Sequence, residues 1–248
     1  MSEPASRPMW CHGRAEQVRC RREREGRARV AAPAADSRPV GASRGPVRIL
    51  PPADGGRDSA VLILIGEDSG GGAAEPDVLL MQRADAMRSH AGQPAFPGGA
   101  ADPGDDGPTG TALREAAEEV GALAHGVTVL AELPALYLPP SGFLVTPVLG
   151  WWHEPSEVGV VDPAETASVA RVPIVELVDP ANRFCSRHPS GYVGPSFSVR
   201  EMLVWGFTAS LLDKVLTLGG WTRPWDRRDV RELPAEVLAL SAGPGVRG

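Results

Sequence analysis

Three features of the sequence predict an α+β fold or an α/β/α sandwich around a mixed β-sheet. Two continuous apolar runs, AVLILIG (60–66) and DVLLMQR (77–83), have the length and composition of strands buried on both faces. Two or three helical patterns are interspersed with further strand patterns, without the strict strand–helix alternation of an all-parallel sheet. The 248 residues include 29 glycines and 25 prolines, a loop-rich composition that disfavours a helical bundle.

Residues 1–48 show no sustained apolar periodicity and read as a disordered, Arg-rich segment. A single domain is expected over 49–225, with a loosely ordered tail over 226–248. The two strands at 60–66 and 77–83 are separated by the Gly-rich turn EDSGGGAAEPD. A loop continues to Pro108, and a helix is expected from Thr109 or Thr111 to Val120, stopped by Gly121. VTVLAEL, FLVTPVLGWW and EMLVWGF read as later strands, TASLLDKVLTL as a second helix, and a short helix is expected near Val175. Trp205 and Phe207 are core candidates.

The arginine-rich first 48 residues carry 11 Arg against 5 acids, so a tail of +6 is set against a remainder of −12 in the net −6. An acidic body excludes a surface built to coat nucleic acid, which needs a basic stripe to displace counterions. No apolar run approaches the roughly 20 residues that cross a bilayer. Cys11, Cys20 and Cys185 are odd in number and lack CxxC spacing, so neither a disulfide framework nor a zinc ribbon is supported. A cytoplasmic protein with no nucleic-acid or membrane partner is expected, and Cys185 reads as a small buried apolar residue.

The segment REAAEEVG (114–121) gathers three acids on one helical face. Glu115, Glu118 and Glu119, spaced i, i+3 and i+4, fall within about a 100° arc. Leu113, Ala116, Ala117 and Val120 lie on the opposite side as a core face. Like charges so placed repel by a few tenths of a kcal/mol per pair, and Arg114 alone cannot neutralise three carboxylates. A hard divalent cation can. Gly98 and Gly99 upstream let backbone approach a ligand closely and offer a carbonyl to a metal.

Gly99, Asp105 six positions on, and then REAAEEVGA resemble the Nudix box, G-x5-E-x7-R-E-U-x-E-E-x-G-U with U apolar. Two departures stand out. The loop acid is Asp rather than Glu, and the distance from Gly99 to Arg114 is one residue longer. Asp105 keeps the glycine spacing and Asp106 the arginine spacing, so both remain candidates. The resemblance implies the Nudix α/β/α sandwich, with Glu115, Glu118, Glu119 and the Gly99 carbonyl holding Mg²⁺ or Mn²⁺ against a diphosphate. Arg114 would orient the glutamates. The base that takes the water proton is left between Glu115 and, more weakly, Glu165.

Upstream of the box, LLMQRADAMRSHAGQPAFPGG resembles the signature of the coenzyme A pyrophosphatase subgroup, approximately LLTxRs-x3-xRxHxGQxxFPGG. Arg83, Arg88, His90 and Gln93 are the substrate-binding candidates this implies. Coenzyme A carries a 3′-phosphate besides its diphosphate, and arginine suits such groups through planar, bidentate contacts. The implied activity is hydrolysis of coenzyme A, or its acyl or oxidised forms, to adenosine 3′,5′-bisphosphate and 4′-phosphopantetheine. The alternatives are a Nudix hydrolase of ADP-ribose, NADH or a nucleoside triphosphate, and a non-catalytic ligand sensor. The partner expected is a small molecule, with a homodimer as the assembly should the chain associate.

Overall fold

The computed structural model describes residues 55–68, 75–87, 90–139 and 141–241. The Arg-rich segment 1–48 and Arg88 lie outside the described residues. The first apolar run forms most of β1 (Arg57–Asp68), the centre of a mixed sheet. It pairs antiparallel with β2 (Glu75–Arg83) and parallel with β7 (Phe143–Trp152). The main path of the sheet runs β3 (Pro94–Ala95), β2, β1, β7, β5 (Val127–Glu132). Three more strands attach to it: β4 (Gly98–Ala100) to β1, β6 (Leu136–Leu138) to β7 and β8 (Thr166–Pro173) to β2.

Strand side chains alternate between faces, so a run apolar at every position must be covered on both. Ala60, Leu62 and Leu64 on β1 and Leu79 and Met81 on β2 meet Ala112, Ala116 and Val120 of helix α1 (Gly107–Val120). Ile63, Ile65, Val78 and Leu80 point the other way, onto a core completed by Leu211, Leu212 and Val215 of a later helix, Gly206–Leu218. Each fully buried Leu or Ile contributes about 2 kcal/mol to holding the layers together. This is the expected sandwich.

Helix α1 begins at Gly107, earlier than the Thr109 or Thr111 expected, because Pro108 sits in its first turn, where a missing N–H breaks no helical bond. It ends as expected: Gly121 at φ 76 donates its N–H to the Ala117 carbonyl, and Ala122 to that of Ala116.

Beyond β8, α2 (Ile174–Leu177) leads into a second sheet of β9 (Arg183–Arg187), β10 (Val193–Val199) and β11 (Met202–Val204). The strand expected over EMLVWGF stops at Val204. Trp205 is extended and caps α3 (Gly206–Leu218), so Phe207 belongs to the helix. The part of the expected loose tail that is described is ordered: β12 (Val230–Glu232) pairs parallel with β9, and α4 (Ala235–Ser241) follows. No helix among the described residues is long and apolar enough to cross a membrane.

Candidate active site

The site is assembled where α1 crosses β4. Gly98 has φ 158, and a Cβ there would collide with the Ala60 carbonyl and the Val61 backbone. A Cβ on Gly99 would collide with the Glu115 carboxylate. Only glycine lets the strand lie this close beneath the helix. The Gly98 N–H donates to Glu119 Oε2 at 2.9 Å.

The three glutamates share the helix face but not its environment. The Glu119 side chain is 5% exposed, Glu115 17% and Glu118 60%. The helical arc is as expected; the Glu119 carboxylate is buried against the Gly98 N–H and Arg83. Residues 156–161 pack on the C-terminal end of α1. Val161 and Gly159 donate backbone N–H groups to the carbonyls of Glu119 and Val120, and Ser156 Oγ donates to that of Gly121.

Arg114 holds the cluster together. Its Nε and Nη2 donate to the two Asp105 oxygens at 2.8 and 3.0 Å, and Nη2 also reaches the Ala100 carbonyl. Nη1 donates to Glu115 Oε1 and Glu118 Oε2, both at 3.0 Å. Asp105 also accepts from the Asp102 N–H and from Thr111 Oγ1. These bonds hold the Asp105 carboxyl well below the usual range, with the Arg114 bond the largest cause. Asp106 is exposed at the helix start and makes no side-chain cap bond. Asp105, the acid at the glycine spacing, is the one paired with Arg114. Thr111 was not singled out from the sequence; one buried hydroxyl in a helix leaves no periodic signal.

Burial pushes the Glu119 carboxyl up to about 7, against the Gly98 N–H and Arg83, and the charges of Glu115 and Glu165 raise it further. Burial also raises Glu115, over the opposing pull of Arg114, with Glu118 and Glu165 adding to the rise. Glu165 is exposed beside the start of β8 and acts on both carboxyls. Among the described residues, Glu115, Glu118, Glu119, Asp105 and Glu165 face only Arg83 and Arg114 in these interactions, so acids outnumber cations there.

Arg83 lies at the end of β2, where a bulge interrupts the pairing with β8. Its Nη1 is 3.7 Å from Glu119 Oε1. Its Nε is buried without a hydrogen-bond partner, as is Thr166 Oγ1 on the residue opposite across the strands. The Arg83 N–H donates to the Gln93 carbonyl, and the Gln93 N–H to that of His90. His90 has φ 56, and burial lowers the pKa of its imidazole despite a side-chain bond with Gln93. Arg83, His90 and Gln93 thus belong to one turn. Of the substrate-binding candidates, only Arg88 falls outside the described residues.

Among the described residues, no three Asp, Glu, His or Cys side chains form a ready-made cation cage. Glu118 is drawn to Arg114 and Glu119 to the Gly98 N–H, so the three glutamates do not converge as expected from the sequence. The donor set nevertheless fits a hard divalent cation. It offers carboxylate oxygens on one helix turn against a glycine backbone, more acids than cations among the described residues, and an exposed Glu118 held on that face by Arg114.

Residues 56–190 match the model of the NUDIX domain family. A Photorhabdus laumondii protein described as "Uncharacterized Nudix hydrolase NudL" is 38% identical over 144 residues, which cover 57% of this chain and 76% of that protein. Its namesake from Yersinia enterocolitica is 37% identical over 150 residues, 57% of this chain and 73% of that one. Among solved structures, a Nudix hydrolase from M. Smegmatis, RenU, aligns with a TM-score of 0.47 at 21% identity, covering 70% of this chain and 91% of that one.

Proposed function

The chain belongs to the Nudix hydrolase family, and on that premise we propose that it hydrolyses coenzyme A, or an acyl or oxidised form of it, with Mg²⁺ or Mn²⁺ held by Glu115, Glu118, Glu119 and the Gly99 carbonyl. The observation that supports a phosphate-rich substrate most directly is Arg83. Its guanidinium stands beside the acidic cluster, one-fifth exposed, with a buried Nε that no atom of the described residues satisfies. The exposed part of that guanidinium can meet a phosphate oxygen through charge-assisted bonds. The upstream run from Arg83 to Gly99, which resembles the coenzyme A pyrophosphatase signature, favours coenzyme A among the diphosphates.

A cation bound there would neutralise the diphosphate and lower the pKa of a bound water. The chain's own residues do the positioning. Arg114 fixes Glu115 and Glu118, and Gly98 fixes Glu119. Arg114 engages Glu115 and makes no bond to Glu165, whose charge acts on both buried carboxyls; this favours Glu165 over Glu115 as the group that takes the water proton. Water oxygen bonds to one phosphorus and the bridging oxygen leaves with the other phosphate, giving adenosine 3′,5′-bisphosphate and 4′-phosphopantetheine. His90 and Gln93 contribute to holding the substrate beyond the diphosphate.

Products identified after incubation with coenzyme A, ADP-ribose, NADH and a nucleoside triphosphate, each with either metal, test this proposal. Preferential cleavage of coenzyme A supports it; faster cleavage of another member reassigns the substrate. Binding without turnover of any of them would instead favour a sensor.

A further inference from the structure

The family match ends at residue 190, and the chain beyond it returns to the candidate substrate turn. The return starts from a fixed point. The Trp225 ring lies between the Arg183 and Arg227 guanidiniums, 4.4 and 4.6 Å from its centroid, and both arginines bond Asp213. The Asp229 carbonyl accepts from the Cys185 N–H, β12 pairs with β9, and the Leu233 N–H donates to the Arg187 carbonyl with its side chain buried. Helix α4 then lays Leu240 against Gly92. A Cβ on Gly92 would be 2.8 Å from Leu240 Cδ1 and 3.7 Å from Leu240 Cβ.

Gly92 sits at φ 64 in the turn that joins β2 to β3. Its N–H donates to the Arg83 carbonyl, and its own carbonyl accepts from Gln82 Nε2. Leu240 therefore rests on the residue whose backbone links Arg83 to Gln93, while the acidic cluster stands on α1 and β4.

We propose that Leu240 is a positioning residue for substrate affinity: packed on Gly92, it holds the turn that presents Arg83, His90 and Gln93. This rests on the reading of that turn as substrate-facing. A free peptide turn samples many conformations, and fixing it before the substrate arrives removes an ordering cost from binding. The catalytic acids stand on other elements, so the effect falls on KM and leaves kcat unchanged.

The test compares Leu240→Ala with the volume-conserving Leu240→Met. Leu240 is 36% exposed, so truncating it leaves the core intact. Two readouts are taken: steady-state kinetics with coenzyme A, and amide hydrogen exchange of Arg83, Gly92 and Gln93, which needs neither substrate nor metal. Leu240→Ala is expected to raise KM about 5-fold with kcat within about 2-fold. It should also speed exchange at those three amides and not in α1, and Leu240→Met should restore both. Unchanged exchange in Leu240→Ala, or a loss carried by kcat, overturns the proposal. Should the wild-type protein cleave no diphosphate, the functional reading fails while the exchange result still decides whether Leu240 holds the turn.

Discussion

Arg114 and Arg183 each anchor a cluster, one on either side of the main sheet, and their surroundings are opposite. Arg114 is one-quarter exposed and its donors go to Asp105, Glu115, Glu118 and the Ala100 carbonyl. Arg183 has a fully buried side chain, one carboxylate partner in Asp213, and the rings of Phe197 and Trp225 at 4.8 and 4.4 Å. Its Nε and Nη1 have no hydrogen-bond partner among the described residues. Around Arg183 aromatic faces take the place of acids, as suits a cluster that anchors the C-terminal return. Around Arg114 acids exceed cations at a solvent-reachable surface, an arrangement that gains from one more positive ion. Both clusters look like buried ion pairs in isolation; only the balance of charge separates a site from an anchor.

The largest effects should separate the two clusters by activity. Glu119→Gln and Glu115→Gln are expected to lower kcat/KM by at least about 10²-fold, since even outer groups around a metal cost about 10–100-fold when removed. Arg183→Met should leave kcat/KM within about 2-fold. It should instead cost about 3 kcal/mol of stability in urea denaturation, from the broken buried pair. Equal losses of activity in both clusters would erase the distinction.

Much of the acidic cluster was legible in the sequence because helical geometry converts spacing into direction. Glu115, Glu118, Glu119 and Arg114 lie on one side of α1 for that reason. What periodicity does not encode is the material packed above. The buried Glu119 carboxylate meets the Gly98 N–H and Arg83, contacts made across 21 and 36 residues. The choice between Asp105 and Asp106 likewise needed the loop path, since each satisfied one spacing. The second sheet was harder still. β12 is three exposed residues, Val230–Glu232, held by pairing with β9 and carrying no apolar alternation of its own. The two long apolar strands announced themselves because both faces are covered.

Smaller effects sharpen the picture of Arg114. Replacing it with lysine keeps the charge and loses the planar fork on Asp105, so kcat/KM should fall about 10-fold while the fold persists. Circular dichroism beside kinetics checks this, and an undiminished rate would remove Arg114 from its orienting role. The Asp105 pairing should also be visible as acid sensitivity. The folded-state pKa of Asp105 lies below the ordinary aspartate value of 3.8. Its stabilisation is therefore complete above that value and is lost as pH falls below it. The stability difference between wild type and Asp105→Asn should be constant near neutrality and shrink below about pH 4 in acid denaturation. A gap that widens with acid would mean the pairing has been misassigned.

The smallest effect expected is at His90, whose backbone carbonyl closes the substrate turn whatever its side chain. His90→Ala should raise KM for coenzyme A about 3-fold and leave kcat unchanged, as removal of a binding contact made equally in ground and transition states would. A fall in kcat would move His90 into the chemistry.

In the function proposed, the surplus carboxylates of α1 gather a divalent cation that makes phosphoanhydride cleavage possible. Metal-stripped protein titrated with Mn²⁺ while release of adenosine 3′,5′-bisphosphate from coenzyme A is followed tests it most directly. No product is expected without metal, with saturable activation on its addition and loss of that activation in Glu119→Gln. Product formation indifferent to metal, or activation retained in full by Glu119→Gln, would contradict it.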